Sequence, residues 1–213
     1  MRITDENEAR AYVAGLAAAL GEADAMARLD RYAELLLAEN ARQNLVSKAS
    51  EAALWQRHIA DSAQLLDFVP RETLGSIASG PWLDLGSGPG LPGLVIAALC
   101  PNMPVVLVES RARRVEFLHA VIADLALPKC EVRGERLERI APFACRAISA
   151  RAFAPLDKLL ALSAPFSTAA TRYVLPKGRS AAHELTSLKP SIRKLFHVEQ
   201  SLTDDEAGII VKR

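Results

Sequence analysis

The sequence predicts an α/β fold, a mostly parallel Rossmann-like sheet covered by helices on both faces and preceded by an N-terminal helical unit. Residues 5–67 place apolar side chains at three- and four-residue spacing, the period of amphipathic helices. From Trp82 onward, short apolar runs alternate with helical stretches, the pattern of βαβ units. Between them, residues 69–80 carry Pro70, Gly75, Ser76, Ser79 and Gly80 with no clear apolar period. The expected division is therefore a helical unit over 1–70 and a sheet domain over 81–213.

In the helical unit, Leu29, Tyr32, Ala33, Leu36 and Leu37 recur at three- and four-residue spacing. Ser50 is placed to cap a later helix through Trp55, Ile59 and Leu66, giving about three helices in all. A strand over 82–85 then leads to a helix over 92–99, and a strand over 105–108 to a helix over 112–125. Strands follow at 131–133 and 147–149, a helix at 155–163, a strand at 173–175 and a short helix near 181–188. The last two strands, 195–199 and 209–211, have no helix between them and imply an antiparallel hairpin closing the sheet.

With 213 residues, 50% hydrophobic and 24% charged, the chain is neither disordered nor a mini-protein. Folding should bury about 70% of the surface of a chain this long, so no disulfide or metal is needed to support the core. Cys100, Cys130 and Cys145 are far apart and form no CxxC pair, which argues against a disulfide framework or a zinc ribbon. The strongest apolar run, 91–100, falls well short of the roughly 18 residues of a membrane span and contains Pro92 and Gly93. Asp5, Glu6 and Glu8 precede the apolar stretch 11–20, the wrong charge for a signal peptide, so a cytoplasmic protein is expected. The formal net charge of +1 hides an asymmetry: 13 basic against 6 acidic residues between Arg111 and Arg179. Such an excess suits a polyanionic partner, although solvated arginines on a soluble surface give the same count.

The most informative segment is DLGSGPGLPG, residues 84–93, which follows a strand and opens a helix. Gly86, Gly88 and Gly90 let a ligand approach the backbone closely, and Glu109, at the end of the next strand, stands where a carboxylate accepts hydrogen bonds from both ribose hydroxyls of an adenosine. A phosphate-binding Walker loop fails, because Leu94 and Val95 follow Gly93 where Lys and Ser/Thr must stand. Gly88, Gly90 and Gly93 fit the dinucleotide pattern GxGxxG, a weak signal alone. Asp84 counts against a dinucleotide, since at the strand end it would face a pyrophosphate; it suits a ligand bearing an ammonium and no phosphate, such as S-adenosylmethionine.

This run, with RHIADS at 57–62, ARAFAPL at 150–156 and LPKG at 175–178, resembles the RsmG family, also called glucose-inhibited division protein B. That resemblance implies a class I S-adenosylmethionine-dependent methyltransferase sheet and methylation of guanine N7 in 16S ribosomal RNA. It also implies S-adenosyl-L-methionine as cofactor, its methionine and ribose end by Gly86 and Leu91, its adenine by Leu137 and Glu138, and a further contact at Arg151. Judged without it, Leu137 reads as a core leucine, Glu138 as a surface charge and Arg151 as an ion-paired or phosphate-binding arginine. Departures from the family pattern are Glu39, Gln43 and Val46 in the helical unit. The expected partner is 16S rRNA or the small ribosomal subunit, bound by a monomer with no membrane and no metal.

Guanine N7 attacks through a lone pair that carries no proton, so positioning can suffice and no catalytic base is assigned. The chain lacks Asn-Pro-Pro-Tyr, Asp-Pro-Pro-Tyr and Pro-Cys motifs and a GxSxG elbow, and His58, His119, His183 and His197 are scattered. Arg57, His58, Asp61 and Ser62 share a helix face as candidate RNA contacts, or Arg57 simply pairs with Asp61. Arg111, Arg113 and Arg114, with Lys177 and Arg179, fall on the carboxyl side of the sheet and are expected to meet backbone phosphates. The remaining alternatives are a methyltransferase acting on another RNA, a protein or a small molecule, and a non-catalytic RNA-binding module.

Overall fold

Strands with every side chain buried make the centre of the sheet. The computed structural model describes residues 2–74 and 80–212; the part of the expected boundary at 75–79, with Gly75, Ser76 and Ser79, lies outside the described residues. β1 (Trp82–Leu85), β2 (Val105–Val108), β3 (Cys130–Arg133), β4 (Ala147–Ala150) and β5 (Arg172–Gly178) are parallel, and β6 (Phe196–Gln200) and β7 (Gly208–Lys212) form an antiparallel hairpin. The order across the sheet is β3-β2-β1-β4-β5-β7-β6, with β7 antiparallel to β5. The expected parallel sheet and closing hairpin are both present. Strand order reverses between β1 and β4, so a crevice opens beyond their carboxyl ends, where open α/β sheets bind ligands.

β5 continues past the expected 173–175 through Pro176. Proline donates no ladder hydrogen bond, and the register with β7 shifts between Pro176 and Gly178, an irregularity that accommodates it.

Asp5 caps α1 (Glu6–Leu20), its side chain accepting from the Glu8 N–H at 2.8 Å, and Gly21 at φ 74° ends it. α2 (Ala25–Gln43) ends on Asn44 at φ 52°. The chain then winds irregularly: α3 (Lys48–Glu51), a π turn at Trp55–Ala60, α4 (Asp61–Ala63), a 3₁₀ turn at Gln64–Phe68 and α5 (Arg71–Leu74). Ser50 is therefore not the expected cap but lies inside α3, which starts earlier, at Lys48 after the N-cap Ser47. Its hydroxyl donates back to the Ser47 carbonyl at 2.8 Å, the local bond with which serine competes against capping.

Helices α6 (Gly93–Leu99) and α7 (Ala112–Asp124) cover one face of the sheet, and the helical unit packs on top of them. One apolar cluster runs through Leu29, Tyr32 and Ile59 into Val95, Leu99 and Leu118. A second, on the opposite face, joins Leu83, Leu85 and Ile148 to Leu159, in α8 (Leu156–Ser163), and to Ile210. Helices α9 (Ala181–Thr186) and α10 (Pro190–Arg193) complete the chain before the hairpin.

Polar contacts fasten the helical unit to the sheet: the buried Tyr32 hydroxyl donates to the Pro89 carbonyl at 3.0 Å, and Arg28 donates to the Ala98 carbonyl at 2.7 Å. Tyr32 thus latches α2 to the glycine-rich turn. Tyr32→Phe removes the donor that reaches this carbonyl while keeping the ring, and should cost about 1–3 kcal/mol in urea unfolding. An unchanged midpoint would remove the latch from the account.

Candidate active site

The turn between β1 and α6 is shaped from below by Asp84. This carboxylate has no exposed surface; Oδ1 accepts from the Ser149 hydroxyl at 2.7 Å and Oδ2 from the Gly93 N–H at 3.2 Å. Ser149 in turn accepts from the Trp82 indole N–H at 2.8 Å. Burial pushes the Asp84 carboxyl above its ordinary range, offset by these donors. The expected ammonium ligand therefore finds Asp84 already surrounded by protein; the residue supports the turn rather than lining a cleft. Gly93 allows the approach, since a Cβ there would stand 2.2 Å from Leu107 Cδ2 and 2.9 Å from Asp84 Oδ2. Leu91 is likewise buried beneath the turn, and Gly88 and Gly90 form the turn itself.

Above the turn lies a cleft of about 330 Å³, whose walls include Gly86, Glu109, Arg114, Leu137, Glu138 and Phe153. Glu109 is 6% exposed and already receives three backbone N–H groups. Oε2 accepts from Gly88 at 3.1 Å, and Oε1 from Ser110 at 2.7 Å and Arg111 at 2.9 Å. A carboxylate offers about four acceptor positions, so beside these three donors one remains on Oε2 for a ribose hydroxyl. Arg114 stands 3.6 Å from the same oxygen.

A larger cleft of about 860 Å³ adjoins it, and Ala152, Phe153 and Ala154 line both. The helical unit contributes Arg57, His58 and Asp61; the sheet side contributes Arg151 and Lys177. Arg151 stands 3.1 Å from His58 Nδ1, and Ser50 Oγ 2.8 Å from Nε2. A guanidinium only donates, so Nδ1 must accept and the proton sits on Nε2, directed at Ser50. The imidazole's one lone pair is thereby occupied. Desolvation, reinforced by the Arg151 and Arg57 cations, lowers the His58 pKa to about 4.

Arg57 does not pair with Asp61: its partner is Asp204, at 3.1 Å, from the loop between β6 and β7. The π turn places Asp61 off an ordinary i,i+4 register, and Asp61 Oδ1 accepts from Gln64 and Thr203 instead. Burial raises the Asp61 carboxyl above its usual range, against the pull of Arg151. Lys177 is nearly buried, donating to the Ala154 carbonyl at 3.0 Å and pairing with Glu184 at 2.9 Å. Arg179 is exposed and paired with Glu206. Arg113 is exposed beside Arg42 and Arg111, in a notch between α2 and α7.

Phe153, Ser50, Thr203 and Asp204 escaped the sequence reading as site residues. The only signal was for Phe153, an apolar ring just past the carboxyl end of a strand, where ligands bind.

Strand order, glycine turn and acidic residue after β2 together define a class I methyltransferase fold. It is shared with a precorrin-6y C5,15-methyltransferase from Geobacter metallireducens (TM-score 0.52, 12% identity, 80% of this chain and 91% of that one). The methyltransferase-like YhhF protein of Escherichia coli is similar too (TM-score 0.53, 12% identity, 72% and 84%). The chain belongs to the rRNA small subunit methyltransferase G (GidB) family, whose profile it matches over residues 25–208. It is 56% identical over 211 residues to the ribosomal RNA small subunit methyltransferase G of Erythrobacter litoralis, covering 99% of this chain and 97% of that one. The Zymomonas mobilis protein of the same name is 46% identical over 186 residues, covering 86% and 83%.

His58 provides a test of the larger cleft. The unfolded chain takes up this proton below about pH 6.5 and the folded chain only near 4, so stability should fall by about 3 kcal/mol as pH drops through that window. Above pH 6.5 the effect vanishes. His58→Gln should flatten this part of the urea-unfolding profile, whereas an imidazole NMR titration with a midpoint near 6.5 would contradict the buried neutral tautomer.

Proposed function

We propose that this chain transfers the methyl group of S-adenosylmethionine to N7 of a guanine in 16S rRNA of the small ribosomal subunit, acting in the cytoplasm. The single observation that carries the reading is the meeting of two clefts at Ala152–Ala154 in a member of this family. One is of nucleoside scale and ends on a carboxylate; the other is larger and lined by Arg57, Arg151 and Lys177 together with Asp61, Glu184 and Asp204.

The smaller cleft suits the cofactor. Gly86 lines it beside the Phe153 ring, Glu109 keeps one acceptor position for a ribose hydroxyl, and Leu137 with Glu138 would flank the adenine. Arg151 would make a further contact from the larger cleft, oriented by neutral His58. Asp84, Gly88, Gly90 and Leu91 hold the turn in shape beneath it. When bound, S-adenosylmethionine supplies a methyl group on a positively charged sulfur.

The chain's own part is positional. Guanine N7 carries no proton, so no base has to remove one, and His58 has no lone pair to spare for that task. Arg113, exposed, and Arg179, exposed although paired with Glu206, are suited to backbone phosphates. Arg57, Arg114 and Lys177 each sit beside a carboxylate and would meet RNA as members of those pairs, with Asp61 and His58 at the wall of the larger cleft.

Two measurements test this. N7-methylguanine mapping of 16S rRNA from cells with and without the gene should show one site lost and then restored by complementation; an unchanged map would overturn the reading. Single-turnover methyl transfer at saturating RNA and cofactor should be flat between about pH 6 and pH 9, where a tuned base would titrate. A tenfold rise per pH unit, abolished by Asp61→Ala, would mean that a base is used and that the target atom is not N7.

A further inference from the structure

Phe153 is the only phenyl, phenol or indole ring among the described residues lining either cleft, and it lines both. It lies on the loop leaving the carboxyl end of β4, half-buried, with part of its surface against the second apolar cluster. The ring covers the bare backbone of Gly86: a Cβ at that glycine would come within 2.8 Å of Phe153 Cδ2. The backbone just before it is strained, since Ala152 sits at φ 52°, a left-handed conformation that side-chain-bearing residues seldom adopt. Strain of this kind persists where the surrounding structure over-determines a position, and it clusters at functional sites. A ring fixed in this way, at the junction of a nucleoside-sized cleft and a larger one, is a flat apolar face offered to a flat ligand.

We propose that Phe153 is the platform on which the target guanine stacks, and that its π face favours the charge the guanine acquires. The proposal rests on the reading of methyl transfer to guanine N7. In that step the N7 lone pair forms the new N–C bond while the S–C bond breaks. Sulfur keeps the electron pair of the broken bond and becomes neutral, the positive charge passes to the purine, and no proton moves. Stacking on an aromatic ring holds any base, and a cation over a ring face is held more tightly than a neutral ring. Phe153 therefore binds the methylated, cationic purine better than the neutral one, an interaction that grows along the reaction and acts on kcat as well as on KM.

Phe153→Leu, which keeps an apolar side chain over Gly86, and Phe153→Tyr, which keeps the π face, separate this role from packing. Calorimetry should show S-adenosylmethionine affinity in both variants changing by much less than the transfer rate of Phe153→Leu. Single-turnover transfer to small-subunit RNA should be about ten- to a hundredfold slower for Phe153→Leu and near wild type for Phe153→Tyr. Binding of N7-methylguanosine monophosphate and of guanosine monophosphate, measured on the same proteins, should favour the methylated nucleotide in wild type and Phe153→Tyr and lose that preference in Phe153→Leu. Wild-type transfer by Phe153→Leu would overturn the platform, and so would cofactor affinity falling in step with rate, which would assign the ring to the cofactor. A wild-type protein that methylates no guanine would overturn the underlying reading, an outcome distinct from any difference among the variants.

Discussion

A carboxylate without exposed surface sits under the glycine-rich turn, and the rest of the site depends on how it is satisfied. A polar group removed from water is tolerated only when its hydrogen bonds are replaced. Asp84 replaces them from within, through Ser149 on β4 and the Gly93 N–H at the start of α6. Because Ser149 also accepts from Trp82, this small network joins β1, β4 and α6 where the strand order reverses. The turn above it consequently has one shape. In that shape the Gly88 N–H meets Glu109, so the carboxylate of the smaller cleft is oriented by the same constraint.

The helical unit extends this logic outward. Tyr32 reaches the turn from α2, while the irregular winding after α3 delivers His58 and Asp61 to the wall of the larger cleft. Opposite them stand Arg151 from the end of β4, Lys177 from β5 and Asp204 from the hairpin loop. Charges at this wall are nearly all met by a fixed partner: Arg57 by Asp204, Lys177 by Glu184, and Arg151 by the neutral imidazole of His58. A wall so arranged is prepared to position a ligand and poorly suited to shuttle protons, which agrees with a nucleophile that has none to lose.

Much of the fold was legible because buried parallel strands are written as continuous apolar runs. β1 and β2 have the expected limits for that reason. β5 was read short because Pro176 signals a strand end, and only its pairing with β7 shows that the ladder tolerates it. Ser50 was misread because capping and back-bonding to Ser47 draw on the same hydroxyl, and the sequence does not say which wins. Within the site, the glycine turn and the acid after β2 were visible as a pattern, but the number of N–H groups that Glu109 already receives is a property of the folded turn. The pairing of Arg57 with Asp204 spans 147 positions and leaves no local trace. Phe153 enters the sequence reading only within ARAFAPL and without a role, because an apolar residue in a loop carries no chemical label.

The central claim is that the cleft ending on Glu109 holds an adenosine-bearing methyl donor and not a dinucleotide. Calorimetry of S-adenosylmethionine and NAD against the wild-type chain and Glu109→Ala tests it most directly. The account predicts that wild type binds S-adenosylmethionine and not NAD. It also predicts that Glu109→Ala, while still folded, weakens S-adenosylmethionine binding by about 1–3 kcal/mol through the lost charge-assisted hydrogen bond. Binding of NAD by the wild type, or equal S-adenosylmethionine affinity in the two proteins, would contradict it.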